Sequence, residues 1–291
     1  MKGSTLARLS VLFSMFIFGT VGLFVKYIPL PSAAIAAARG IIGVIFLLAV
    51  MAVSRKKLSF SAIKQNFLWL LFSGAALGFN WILLFESYKH TTVATATLCY
   101  YLAPVFVVFA SPLLLKEKLS LRRAVAAVIA LLGMVPVSGV LGGKIEGARG
   151  IAFGISAAVL YASVIMLNKK LKDITAYDKT VVQLFVSAAI ISPYVLITTD
   201  FSGITLTVTE VLLLVAVGIV HTGIAYALYF GALLNVSAQS AAILSYIDPV
   251  TAVVLSAVLL HEPITLPIVI GALLILGSSF LSEIKFVTKL K

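Results

Sequence analysis

Ten apolar runs of about 20 residues or more occupy positions 6–28, 31–53, 67–88, 91–115, 120–139, 148–168, 177–199, 208–234, 236–260 and 264–283. A helix needs about 20 residues to cross ~30 Å of hydrocarbon. In that solvent every backbone N–H and C=O must be bonded within the protein, which admits only helices and closed barrels. Barrel strands would read as segments of about 10 residues with alternating polarity, and these runs are longer and uniformly apolar. The runs predict an all-α integral membrane protein with ten transmembrane helices. Composition agrees, since 62% of residues are apolar and 11% charged, against about 25% charged in a soluble domain.

The net charge of +12 suggests a nucleic-acid binder until its distribution is examined. Numbering the runs as spans, with the N-terminus inside, places seventeen Lys and Arg on the inner segments. Lys89, Lys144 and Arg149 alone fall outside. That asymmetry follows the positive-inside rule and predicts both termini in the cytoplasm, so the basicity reads as topology and nucleic acid is not an expected partner. Lys2 and Arg8, before and at the start of the first run, resemble a secretory signal, but the run is too long and reads as the first helix. The expected location is a bacterial inner membrane.

One passage occurs twice. Tyr101, Pro104, Val105, Val108, Ser111, Leu115, Glu117 and Leu121 recur, 145 positions later, as Tyr246, Pro249, Val250, Val253, Ser256, Leu260, Glu262 and Leu266. With five helices in each half, the second copy starts on the opposite side of the membrane, so the chain reads as two inverted five-helix repeats. The Gly-rich stretch around Gly142 and Gly143 separates residues 1–143 from residues 144–291. Weaker matches pair Lys26 with Lys169 and Arg39 with Gln183. Inverted repeats are a common architecture of transporters, which bind solute at the repeat interface. Gly74-xxx-Gly78 and Gly150-xxx-Gly154 read as helix-packing signals.

Proline removes a backbone donor and displaces the carbonyl four residues earlier. Pro104 and Pro249 are therefore expected helix breaks that free the carbonyls of Tyr100 and Ser245 near the midplane. Such groups are tolerated where they line a wet cavity or are buried in protein. Polar and aromatic side chains at similar depth make Ser14, Asn80, Trp81, Thr97, Tyr100, Tyr101, Tyr161, Tyr226, Ser245 and Tyr246 the candidate cavity wall. Their aromatic weighting suits a mid-sized organic solute, although any one of them can instead bridge helices.

Asp248 is the sharpest single residue, because a carboxylate in the middle of a membrane helix is expensive and its repeat partner is Ala103. With His221 at similar depth, it forms a candidate proton-coupling pair if the two approach; otherwise Asp248 accepts fixed hydrogen bonds beside Pro249. Arg39, a third of the way into the second run, is expected to pair with Glu86 or to capture a substrate carboxylate or phosphate. Glu117 and Glu262 read as interhelical anchors or gate latches.

Enzyme and pump chemistry find little support. There is no G-x-x-x-x-G-K-[ST] loop, no H-E-x-x-H and no G-x-S-x-G. Three scattered histidines and the single Cys99 offer no zinc site, so no metal or cofactor is expected.

The segments TATLCYYLAPVFVVFASPLLLKEKLS and SAAILSYIDPVTAVVLSAVLLHEPIT, with Phe18-Gly19 ahead of Lys26, resemble the EamA-like family of the drug/metabolite transporter superfamily. The resemblance spans essentially the whole chain. It implies a carrier working by alternating access, with a central cavity lined by helices one, three, four, six, eight and nine. It also implies a small-molecule substrate such as an amino acid or other metabolite; the lipid bilayer and, through Asp248 and His221, protons are the other expected partners. The chain is expected as a monomer or a homodimer, and as an exporter rather than an enzyme; the alternatives are a passive facilitator or channel for small solutes and, behind it, an intramembrane enzyme.

Overall fold

Helices form where long apolar runs leave the backbone no partner but itself, and polar caps mark where those runs end. The computed structural model describes residues 2–114, 116, 119, 121–138, 147–233, 236 and 244–283, and no strand occurs among them. The elements are α1 (Lys2–Lys26), α2 (Ser32–Val53), α3 (Phe60–Gln65), α4 (Phe67–His90), α5 (Val93–Tyr100), α6 (Ala103–Leu114) and α7 (Leu121–Val137). They continue with α8 (Ala148–Asn168), α9 (Ala176–Thr198), α10 (Val208–Gly218), a π turn (Ile219–Ile224), α11 (Ala225–Leu233), α12 (Ile247–Leu259) and α13 (Leu266–Glu283). Side-chain oxygens of Thr92 and Thr175 accept from the Thr95 and Asp178 amides at the starts of α5 and α9. Thr207 and Glu210 form a reciprocal capping box at α10, which satisfies donors that a helix start otherwise leaves unpaired.

Among the described residues, seven stretches are long and apolar enough to cross a membrane. One joins α5 to α6 over Val93–Leu114, and another joins α10, the π turn and α11 over Val208–Tyr229. Of the ten expected spans, the other three are represented by α7, α12 and α13, with 17, 13 and 18 residues. Part of the expected ninth span lies outside the described residues, as do Glu117 and the expected boundary between the halves.

Glycine sets the closest helix contacts. A Cβ on Gly40 would meet Ala188 at 3.2 Å, and one on Gly43 would lie 3.7 Å from Leu184. Moving up α2 thus means moving down α9, so the two run antiparallel. Gly133 against Gly271 and Ile275, together with Gly271 against Val137, gives the same antiparallel sense for α7 and α13. The expected packing glycines do pack: Gly74 and Gly78 meet α9, whereas Gly150 and Gly154 meet the Thr91 turn and α5. Outward-facing Phe13, Leu196 and Leu266 are exposed, as a lipid-facing surface requires.

Candidate functional site

The helix breaks expected at the two prolines are full interruptions. Tyr101 and Leu102 leave the helix between α5 and α6, and Tyr246 does so ahead of α12. Pro104 is the second residue of α6 and Pro249 the third of α12. In a first turn the missing N–H costs nothing, because that donor has no partner in the helix anyway. The prolines therefore begin new helices instead of kinking continuous ones.

A cavity of about 450 Å³ opens beside these breaks. Of the expected residues, Arg39, Trp81, Thr97, Tyr100, Tyr101, Pro104, Tyr161, Tyr226, Ser245 and Asp248 line it. Phe18, Tyr88 and Tyr229 add aromatic wall, and Asn168, Lys179, Thr180 and Gln183 line the end near the start of α9. Tyr161 packs on Tyr100 with ring centroids 5.2 Å apart, as does Phe18 on Tyr226. Eight of the 26 lining residues are aromatic, and among the described residues the wall also holds an arginine, a lysine and one carboxylate.

Six expected residues lie elsewhere, His221 among them. The Ser14 hydroxyl donates to the Val11 carbonyl of its own helix at 2.8 Å. Asn80 donates to the Ala157 carbonyl at 2.6 Å, tying α4 to α8, and its Oδ1 lies 3.4 Å from the Tyr100 hydroxyl. Tyr246 occupies the N-cap position of α12, and Pro249 is buried outside the cavity wall. Glu86 accepts from Ser32 at 2.7 Å and pairs with His90 at 3.1 Å. Depth in the membrane identified these residues as polar, but only rotation about each helix axis decides which of them face the cavity.

The expected Arg39–Glu86 pair does not form. Arg39 sits seven residues beyond Ser32 in α2, about 10 Å deeper at 1.5 Å per residue, and Ser32 is the residue level with Glu86. Arg39 instead donates through Nε to Thr222 Oγ1 at 2.8 Å. Its guanidinium carbon stands 4.2 Å from the centroid of the Trp81 ring and 5.6 Å from that of Phe85, a favourable cation–π setting. Arg39 is 4% exposed and has no acidic partner among the described residues.

Nor do His221 and Asp248 form a pair. The only role open to the Ala216 carbonyl, 3.3 Å from His221 Nδ1, is that of acceptor. Nε2 lies 2.8 Å from the Thr20 hydroxyl, whose single proton is also within reach of the Ile17 carbonyl of its own helix, 2.7 Å from the hydroxyl oxygen. Asp248 Oδ2 accepts from the Tyr101 hydroxyl at 2.9 Å, and that hydroxyl also lies 3.3 Å from the Ser245 carbonyl. The carbonyl freed by the second break is thus faced by a tyrosine from the first.

Arg39 and Asp248 lie at similar depth. Gly19, seven residues inside the Lys26 end of α1, packs directly on the Asp248 backbone, which again gives about 10 Å from the membrane face. Tyr88, Tyr100 and Tyr226 stand within electrostatic range of both charges.

At the Lys26 end a polar clasp joins three elements. Glu262 Oε2 accepts from the Val93 N–H at 2.8 Å, and Oε1 lies 3.4 Å from Lys26 Nζ. Lys26 Nζ also donates to the Thr91 carbonyl at 3.1 Å. Val93 is the first residue of α5, so the carboxylate sits where unpaired N–H groups and the helix dipole favour an anion.

The residues that composition did not single out are Thr20, Tyr88, Thr222 and Lys179. Lys179 had read only as a topology charge, and threonines within apolar runs carry no signal of which neighbour they will meet.

The comparisons with known proteins agree with this architecture. A protein of Bacillus subtilis named "Uncharacterized transporter YxxF" is 30% identical over 262 residues, covering 88% of this chain and 83% of its own. An uncharacterized transporter of Clostridium kluyveri is 29% identical over 253 residues, covering 83% and 80%. A crystal structure with 21% identity superposes with a TM-score of 0.67 over 95% of this chain and 96% of that one, a likeness of fold. The sequence pattern of the EamA-like transporter family matches twice, at residues 5–139 and 148–283. Apolar helices in number, a central polar and aromatic cavity and these matches converge on one assignment: the chain is a multi-pass membrane protein belonging to the EamA-like transporter family.

Proposed function

We propose that the protein is a secondary transporter that carries a small zwitterionic metabolite, an amino acid or related amphiphile, through the central cavity by alternating access. The observation that carries this reading is the placement of Arg39 and Asp248 at similar depth on the two halves of one aromatic-walled cavity. A guanidinium without an acidic partner suits a carboxylate, a carboxylate suits an ammonium group, and the rings between them suit an apolar side chain.

Alternating access here uses two inverted repeats, residues 1–143 and 144–291, forming ten membrane helices. Two features support it. The family pattern matches each half separately, and the helix pairs equivalent under the repeat, α2 with α9 and α7 with α13, pack against each other antiparallel. The clasp of Lys26, Glu262 and Val93 closes the end that the charge distribution assigns to the outside. The cavity reaches toward the cytoplasmic end at Asn168 and Lys179. Transport runs outward across a bacterial inner membrane, both termini being cytoplasmic. Asp248, the one carboxylate in the described wall, is the group through which a proton would be coupled.

Counterflow in proteoliposomes with amino acids, nucleosides and cationic drugs, at two internal pH values, tests the reading. Saturable counterflow of amino acids is expected, with a rate that responds to internal pH through Asp248. Absence of counterflow for every solute removes the carrier mechanism, and pH-independent counterflow removes the proton.

A further inference from the structure

A six-residue π turn interrupts the span between α10 and α11, and it lies at the depth of the cavity's charges. Its backbone signature is the Ala225 amide reaching the Val220 carbonyl five residues back, and over the same separation the Thr222 side chain donates to the Val217 carbonyl at 3.1 Å while His221 Nδ1 faces the Ala216 carbonyl. A π turn inserts a residue into a helix, is rare, and concentrates at functional sites. Within it His221 and Thr222, neighbours in sequence, contact two different helices. His221 meets the Thr20 hydroxyl of α1, and Thr222 takes Arg39 Nε of α2.

Glycines let α2 come close enough for that second contact. A Cβ on Gly43 would lie 2.5 Å from Thr222 Cγ2, one on Gly218 would lie 2.5 Å from Ile42, and one on Gly223 would lie 2.3 Å from Phe46. Arg39 is one turn from Gly43 on the same helix. Its Nε is held by Thr222, its face is held over Trp81, and no described group hydrogen-bonds its two terminal nitrogens. A guanidinium held on one edge and one face keeps its remaining edge free, which is the geometry for a bidentate grip on an oxyanion.

We propose that the π turn is the positioning element for oxyanion recognition in the cavity, with Thr222 orienting Arg39 so that the terminal nitrogens meet a carboxylate. The proposal rests on the cavity being the solute site, and it adds which residue sets the preference for a charged oxygen pair. Thr222 acts through Arg39 and touches no solute. Alignment of both terminal N–H groups distinguishes a carboxylate from its uncharged carboxamide, so losing the alignment should erase that distinction while leaving the ring-binding surface intact.

The test uses benzoate and benzamide, which share a ring and differ in the charged oxygen pair. The reading is the concentration of each that gives half of the maximal rise in thermal unfolding temperature of the purified protein in detergent. The wild type is expected to prefer benzoate by about tenfold, the size of effect one charge-assisted interaction commonly supplies. Thr222→Val should bring the ratio near one, Thr222→Ser should retain it, and Arg39→Gln should abolish it. Arg39→Lys keeps the charge without the fork and should also lose most of the preference, which keeps the test decisive if Thr222→Val fails to fold. A wild type without preference, or without response to either compound, overturns the proposal. So does a Thr222→Val or Arg39→Lys protein that keeps the wild-type ratio. These outcomes are separable from failure of the transport reading, because neither probe is an amino acid and no flux is measured.

Discussion

Tyr101 faces the cavity and reaches across to the break in the other half, where its hydroxyl meets Asp248 and the Ser245 carbonyl. Tyr246, its counterpart 145 positions later, sits at the start of α12 and leaves the cavity wall to Asp248. The prolines differ in the same way, Pro104 lining the cavity and Pro249 being buried outside its wall. One duplicated segment thus supplies an aromatic donor and the other a carboxylate acceptor, and the two breaks are joined by that bond. Duplication provides two helix interruptions at similar depth, and divergence at Ala103 and Asp248 makes them complementary.

The severest break in this comparison is a side chain at Gly19. A Cβ there would lie 2.5 Å from the Asp248 carbonyl oxygen and 2.6 Å from Thr251 Cβ, neither of which can swing aside. Gly19→Val should cost about 3 kcal/mol or more through overpacking, read as a large fall in thermal unfolding temperature or loss of monodisperse protein. Intact stability would mean that α1 does not pin the second break.

Asp248→Ala should lower counterflow by about 100-fold, since it removes both a charge and the acceptor of Tyr101. Asp248→Asn keeps the shape and an acceptor, and should also lose the response to internal pH; unchanged rate and pH dependence would remove Asp248 from the mechanism. The tyrosines then sharpen the asymmetry. Tyr101→Phe should reduce transport about tenfold by leaving the carboxylate one donor short, whereas Tyr246→Phe should change it by less than about twofold. Equal effects from both would contradict a division of labour between the copies.

The smallest effect belongs to the clasp. Its ion pair is partly exposed, 28% at Lys26 and 12% at Glu262, so solvent screening leaves it worth about 1 kcal/mol at most. Glu262→Gln should barely alter stability, yet it should raise labelling of a cysteine placed at Tyr161 by a membrane-impermeant thiol reagent added from the Lys26 side. The measurement needs Cys99→Ser as background, Cys99 being buried.

Much of the fold was legible because lipid removes alternatives: an apolar run of about 20 residues has one way to satisfy its backbone. The positions of the two breaks were legible for a related reason, proline being unable to donate in a helix interior. Ten of the expected site residues line the cavity, since polarity at midplane depth is costly wherever it has no purpose in the bundle. What failed was pairing. Arg39 was assigned to Glu86 on shared proximity to one membrane face, yet a difference of about 10 Å in depth gives Glu86 to Ser32 and His90. Equal depth makes His221 and Asp248 a pair only if they approach; His221 lies against Thr20 on α1 instead, and Asp248 takes the alternative of a hydrogen bond, from Tyr101.

The solvent this chain lives in, its helical class, its family and the depth of its polar groups follow from composition and spacing along one dimension. Which polar groups face one another follows from packing in three. Partnership depends on the rotation of each helix about its axis, on the glycines that set how closely helices approach, and on the π turn that carries His221 and Thr222.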